Sequence, residues 1–320
     1  MGGSSAERSV SLSTGEAVAA ALRERGHSVE TFDIRSISRH CSEGGRDGLA
    51  LTDIVPEILR FDVVFLGLHG GFGENGAIQS FLEDVGLPYT GSGPLSSAIA
   101  MDKIISKKLF EAFGVRTAPW ISVGASDGAG PAEMARTIDI PFGFPCVVKP
   151  ADQGSTVGVS IVPDRDGLAG ALEEAFSYSE RAVIERYIPG REITAAILGA
   201  EPLPLVEIIP KHGIYDYECK YTKGMSEYVV PAPVPPEIEA ETKIQAVMAF
   251  KALGCRDYAR VDFRLSASGE SFCLEVNSLP GMTDTSLVPK AARAAGIEFP
   301  DLVDRIVRMA LGRSRRKLKG

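Results

Sequence analysis

The stretch YARVDFRLSASGESFCLEVN, residues 258–277, constrains this chain more than any other. Apolar Val261, Phe263 and Leu265 alternate with Arg260, Asp262 and Arg264, the period of a strand with one buried face. A second alternating run, CLEVN, follows a Ser-Gly turn, so the segment reads as a hairpin. Glu275 and Asn277 share a face, opposite Leu274 and Val276. Pairing the strands can bring Asp262, Glu275 and Asn277 together, with Arg260 one step away. Three oxygen donors beside a cation, on rigid strands, suit Mg²⁺ bound jointly with phosphates. The same alternation also describes an ordinary hairpin with a solvated face.

The rest of the chain falls into three regions, about 1–95, 96–182 and 183–320. In the first, GEAVAAALRERG reads as a helix, SVETFDI as a strand, FDVVFLGLHG as a buried strand and AIQSFLEDVG as a helix. That alternation predicts a parallel sheet covered by helices, with ligands at the loops after the strands. From Ser96 the pattern changes. One helix, SSAIAMDKIISKKLFEAFG, leads to two apolar strands joined by a Gly-rich loop, and then to a helix at GLAGALEEAF. The β-rich runs RAVIERYI, EITAAILG and PLPLVEII predict an antiparallel sheet. An amphipathic helix, PEIEAETKIQAVMAFKALG, precedes the hairpin, and two helices finish the chain.

The loop VVKPADQGSTVGV carries a second signal. Lys149 ends an apolar run, where an unpaired ammonium would be costly. A phosphate could partner it, with Gly154 and Gly158 allowing backbone N–H groups to approach the anion. The Walker A spacing occurs nowhere, and the segment also reads as a plain hairpin loop. Lys103 and Lys220, each taken alone, read as exposed lysines. His69 in LHGGFGENG reads as a surface histidine in a Gly-rich turn. Glu7 and Arg8 lie in a polar opening turn, GGSSAER, that has no strand before it.

With 34 Lys and Arg against 42 Asp and Glu, the formal net charge is −8, which argues against nucleic acid or an acidic membrane as a partner. The basic tail GRSRRKLKG reads as solvated. The five cysteines, at 41, 146, 219, 255 and 273, show no C-x-x-C spacing and read as buried thiols in a reducing compartment. No stretch approaches 18 apolar residues and no apolar leader precedes a cleavage site, so a soluble cytoplasmic protein is expected.

Together and in order, GGSSAERSVSL, HGGFGENGAIQ, LPYTGSGPLSSAIAMDK, VVKPADQGSTVGVS, YDYECKY, ARVDFRL and LEVNSLPGMTDTSLVP resemble the D-alanine–D-alanine ligases of the ATP-grasp superfamily. The resemblance runs from residue 2 to about residue 300. It implies a three-domain α/β and α+β fold: a parallel-sheet N-terminal domain, then two antiparallel-sheet domains that sandwich ATP. It also implies peptidoglycan-precursor synthesis. One D-alanine carboxylate attacks the γ-phosphate to give an acyl phosphate, and the second D-alanine's amine displaces phosphate.

By that resemblance Lys103, Lys149 and Lys220 neutralise ATP phosphates, and the loop of Gly154, Ser155 and Thr156 closes over them. Glu185 and Glu192 contact the adenosine, and Ile188 packs on the adenine. Asp262, Glu275 and Asn277 hold two Mg²⁺ ions, with Mn²⁺ able to substitute. Glu7, helped by His69, meets the first D-alanine's ammonium. Arg260 and the Gly281 N–H form the oxyanion hole, and Ser286 and Leu287 meet the second D-alanine. Glu7, Ser155 and Tyr221 form a hydrogen-bonded triad, and the Lys220–Tyr221 pair favours an amine over a hydroxy acid as second substrate. A homodimer is implied as well.

The chain departs from the family pattern in three places. Asn75 stands where the family has Asp, Gln153 where Glu is common, and the first strand expected before Gly2 is missing. Other readings of the same fold are ligation of a different pair, such as D-alanine with D-serine or D-lactate, a catalytically inactive ATP-binding homologue, or an ATPase without ligation.

Overall fold

Three sheets organise the protein in a computed structural model that describes residues 1–5, 7–37, 49–128, 130–211, 224–283 and 286–317. The helix Arg8–Glu24 turns Ser11, Thr14, Val18, Ala21 and Leu22 inward, a spacing of three and four that makes one buried face. Beside it β1 (Ile34–Ser36) pairs in parallel with β2 (Leu49–Ala50). Met1–Gly3 runs parallel to β1, with Gly3 N donating to Ile34 O at 2.6 Å and Ile34 N to Met1 O at 2.9 Å.

The strands predicted over 28–34 and 61–70 are shorter than the pattern suggests. Val64 bridges only Tyr89, and Leu66 N is satisfied by the Thr90 hydroxyl at 3.1 Å, so the ladder goes no further. Between the two extended segments lies a cleft of about 420 Å³, walled by Phe32, Ile34, Val64, Leu66 and Leu82.

The central sheet holds β3 (Trp120–Gly124), β4 (Cys146–Pro150), β5 (Ser160–Val162) and β6 (Arg181–Arg186), in the order β3-β6-β4-β5. Its pairs are antiparallel, and its buried face packs on the helices Pro131–Thr137 and Leu168–Phe176. RAVIERYI therefore belongs to a different sheet from EITAAILG and PLPLVEII, and the chain passes between sheets over residues 187–189. The boundary expected at 182/183 falls inside β6.

The third sheet contains β7 (Gly190–Leu198), β8 (Glu201–Pro202), β9 (Val206–Pro210), β10 (Ser226–Val229), β11 (Tyr258–Ser266) and β12 (Ser271–Asn277). Its order is β10-β9-β7-β11-β12, with β8 paired to β7. Phe263, Val261 and Cys273 pack against Ala246, Ala249 and Phe250 of the helix Pro236–Ala252. The opposite face meets the first region and the C-terminal helices Leu287–Ala294 and Phe299–Lys317 in one shared core.

The single helix predicted over 96–114 is two, Pro94–Met101 and Lys103–Ala112. Asp102 divides them because its carboxylate accepts from Ile104 N and Ile105 N, capping the second helix at the expense of continuing the first. Cys146, Cys255 and Cys273 are buried thiols, as predicted; Cys41 and Cys219 lie outside the described residues. No helix among the described residues is long and apolar enough to cross a membrane.

Candidate active site

Alternation in the hairpin builds the floor of the site. The β11–β12 register sets Asp262 opposite Glu275 and Arg260 opposite Asn277, so all four share the expected face. Arg260 donates to Asp262 from Nε at 2.9 Å and from its terminal nitrogen at 2.8 Å, and Thr194 of β7 adds a 2.6 Å bond to the same carboxylate. One detail differs from prediction. The register slips between Asp262 and Phe263, so the ladder passes over Leu274. This bulge turns Leu274, expected on the buried face, into the wall of a cavity that Asp262 and Glu275 also line.

That cavity, about 150 Å³, lies between the central and third sheets and is lined by Lys149, Thr156, Glu185, Ile188, Glu192 and Asp262. Arg264 holds Glu192 at 3.1 Å. A larger cavity of about 470 Å³ adjoins it, lined by Glu7, His69, Ser155, Arg260, Asn277, Gly281, Ser286 and Leu287. Lys103, Gln153, Gly154 and Glu275 line both. Each site residue implied by the family resemblance and described by the structure therefore lines one of two adjoining cavities, whereas Gly158 and Arg8 line neither. Lys220 and Tyr221 lie outside the described residues.

The Gly-rich loop after β4 closes the roof. Lys103, nearly buried at the start of its helix, donates to Gln153 O. Ser155 and Thr156 both take positive φ, 51° and 63°, where a side chain is strained by about 1–3 kcal/mol. Ser155 is held there by its hydroxyl, which donates to Glu7 Oε1 at 2.5 Å. Gly158 is a glycine by necessity: φ is +66° and a Cβ would sit 2.8 Å from Pro150 and Tyr178 side-chain atoms. Gln153 donates from its amide to Tyr178 O at 3.1 Å, a bond the Glu common at this position could not make when ionised. Asn75 accepts from Ala77 N at 3.1 Å, as an Asp would.

The opening turn is anchored from several sides. Arg8 makes a two-pronged pair with Asp33 at 2.7 and 2.5 Å, and Ser5 donates to His69 O at 2.7 Å. His69 is buried rather than exposed. Its Nδ1 faces the Leu279 carbonyl at 3.1 Å and its Nε2 faces the Thr14 hydroxyl at 3.0 Å. A carbonyl can only accept, so Nδ1 carries a hydrogen toward Leu279. Beyond Leu279, Ser286 Oγ accepts from Thr283 N at 3.0 Å, and a Cβ on Gly281 would lie 2.9 Å from that oxygen.

Glu185 is placed differently from its expectation as a simple adenosine contact. It is buried between two ammonium groups: Lys107 Nζ is 2.7 Å from Oε2, and Lys149 Nζ pairs with Oε1. Burial by itself pushes this carboxyl up; the charges of Lys107 and Lys149 outweigh that and leave it lowered to about 2. Lys107 was not singled out, because ISKKLF reads as an ordinary solvated helix face.

The donor set of Asp262, Glu275 and Asn277 is all oxygen, open to both cavities and suited to a hard cation shared with phosphate. Among the described residues no group of three His, Cys, Asp or Glu side chains could hold a metal ion.

Two family models match the chain: "D-ala D-ala ligase N-terminus" over residues 48–92 and "D-ala D-ala ligase C-terminus" over 109–308. D-alanine–D-alanine ligase of Pelotomaculum thermopropionicum is 45% identical over 316 residues, covering 97% of this chain and 95% of the relative. The same enzyme of Desulforudis audaxviator is 45% identical over 315 residues, covering 97% and 96%. Among solved structures, D-alanine–D-alanine ligase from Bacillus anthracis superposes with a TM-score of 0.82 at 35% identity, covering 99% of this chain and 97% of that one. Its ATP complex gives 0.81 at 34% identity with the same coverage.

Proposed function

The chain belongs to the D-alanine–D-alanine ligase family, and from that premise we propose that it joins two D-alanine molecules using ATP, forming D-alanyl-D-alanine for cell-wall precursors. One observation carries the reading: two adjoining cavities share Lys103, Gln153, Gly154 and Glu275. A nucleotide in the smaller cavity would direct its terminal phosphate toward those shared residues, where a carboxylate in the larger one would meet it.

The first D-alanine binds through its ammonium to Glu7, and its carboxylate attacks the γ-phosphorus, breaking the bond to the β–γ bridging oxygen to give the acyl phosphate and ADP. Lys103 and Lys149 offset the phosphate charge, the role the family resemblance also gives Lys220. Asp262, Glu275 and Asn277 would hold Mg²⁺, which would supply charge neutralisation at the phosphates. The second D-alanine, its carboxylate hydrogen-bonded by Ser286 and its methyl against Leu287, presents its amine to the acyl carbon. Arg260 and Gly281 N–H stabilise the oxyanion, and the C–O bond to phosphate breaks. Losing one such donor lowers kcat by about 10²–10³. Ser155 on Glu7 keeps the roof closed so that water does not take the acyl phosphate.

The domains of this reading are those expected at 1–95, 96–182 and 183–320, with the second boundary moved to residues 187–189 where the chain passes between sheets, in a cytoplasmic homodimer. Phosphate release measured with ATP, Mg²⁺ and D-alanine each omitted in turn tests it. Release that needs all three, with equimolar D-alanyl-D-alanine, is expected. Release indifferent to D-alanine would overturn it in favour of an ATPase.

A further inference from the structure

Lys107 is 1% exposed, yet it carries a charge and lines neither cavity. It lies one helical turn after Lys103 on the same face of the helix Lys103–Ala112. Its ammonium is 2.7 Å from Glu185 Oε2 and donates to Thr117 Oγ1 at 2.6 Å. The Thr117 hydroxyl in turn donates to Cys273 O of β12 at 2.9 Å. Glu185 is fixed in the middle of the central sheet, opposite Trp120 on one side and Val147 on the other. Its second oxygen holds Lys149.

Three charges thus stand in a row, and their order matters. A Lys149–Glu185 pair alone would be neutral, and burial in a low-dielectric setting would make that neutralisation strong. The second ammonium leaves the row with a surplus of one positive charge. The Lys107 and Glu185 side chains are 2% and 3% exposed, whereas Lys149 is 14% exposed and lines the small cavity. The surplus can reach solvent or ligand only through Lys149. We propose that Lys107 is a positioning residue for nucleotide binding, occupying Glu185 so that the charge of Lys149 stays available to a phosphate. Its link through Thr117 to β12 also sets that charge relative to the strand bearing Glu275.

The inference rests on the nucleotide reading of the small cavity, and the test separates the two. Inhibition by ADP and by adenosine is measured for the intact protein, for Lys107→Met, and for Lys107→Met combined with Glu185→Gln. The single variant should weaken ADP about tenfold and leave adenosine within about twofold, because only phosphates sense the lost charge. The double variant removes one charge of each sign and restores the surplus, so the ratio of ADP to adenosine affinity should return to within about threefold of native whatever Glu185→Gln costs both ligands. Thermal melts check that both variants fold: the single variant keeps the neutral Lys149–Glu185 pair, and in the double variant the unpaired Lys149, 14% exposed, lines the cavity. Lys107→Arg should retain ADP binding. Equal weakening of ADP and adenosine, or a double variant no better than the single, would overturn the role of Lys107. A native protein that binds neither compound would overturn the nucleotide reading itself.

Discussion

Ser155 and Glu7, 148 residues apart in the chain, meet through a 2.5 Å hydrogen bond from the serine hydroxyl to the carboxylate. The bond joins the opening turn to the loop over the shared ends of the cavities. A hydrogen bond to a charged group contributes about 1.5–3 kcal/mol. Ser155→Ala should therefore raise the KM for D-alanine by about 10–100-fold and release phosphate in excess of dipeptide. A phosphate-to-dipeptide ratio that stays at one would show that the roof closes without this bond.

Asp262 and Glu275 face each other across the hairpin, and like charges directly opposed destabilise a sheet. Glu275→Gln should lower turnover at least 100-fold while leaving Tm unchanged or raised by about 1–2 °C. Turnover with titrated Mg²⁺ and a thermal melt on the same sample check both halves. A parallel loss of activity and Tm would make Glu275 structural instead.

The folded-state pKa of Glu185 is lowered from 4.5 to about 2 by the two lysines acting against burial. A carboxylate with a depressed folded pKa stabilises fully above its unfolded value and loses that contribution as pH falls. The denaturant midpoint should therefore drop between pH 4.5 and about 2. In the variant combining Lys107→Met with Glu185→Gln this component of the drop should be absent. A midpoint curve of unchanged shape in that variant would place the acid sensitivity elsewhere.

Burial raises the thiols of Cys146 and Cys255 to about 11, and raises that of Cys273 as well. In a variant with Cys41 and Cys219 replaced by Ser, no thiol should react with a disulfide reagent at pH 8 until the protein is unfolded. Labelling of one equivalent in the native state would show that one of these strands opens.

Much of the site was legible because period two survives in strands whose faces differ: Asp262, Glu275 and Asn277 lie where alternation put them. What alternation could not carry was a change of register, so Leu274 was read onto the wrong face. The break at Asp102 escaped because its cap is a local competitor to a helix whose apolar spacing runs on through it. β6 was grouped with its successors because sequence order says nothing of which sheet a strand joins. His69 reads as exposed and Lys107 gives no signal for one reason: their partners, Leu279 and Glu185, are distant in the chain.

The His69–Leu279 contact spans 210 residues, and Arg313 near the carboxyl end reaches back to Tyr89 O at 2.8 Å. A ribosome adds roughly 5–20 residues per second, so Glu7 emerges on the order of ten seconds or more before Leu279 is made. The pieces that would bind ATP and amino acid thus wait on the last strands and helices to be translated. A nascent chain that has not reached Glu275 lacks lining residues of both cavities.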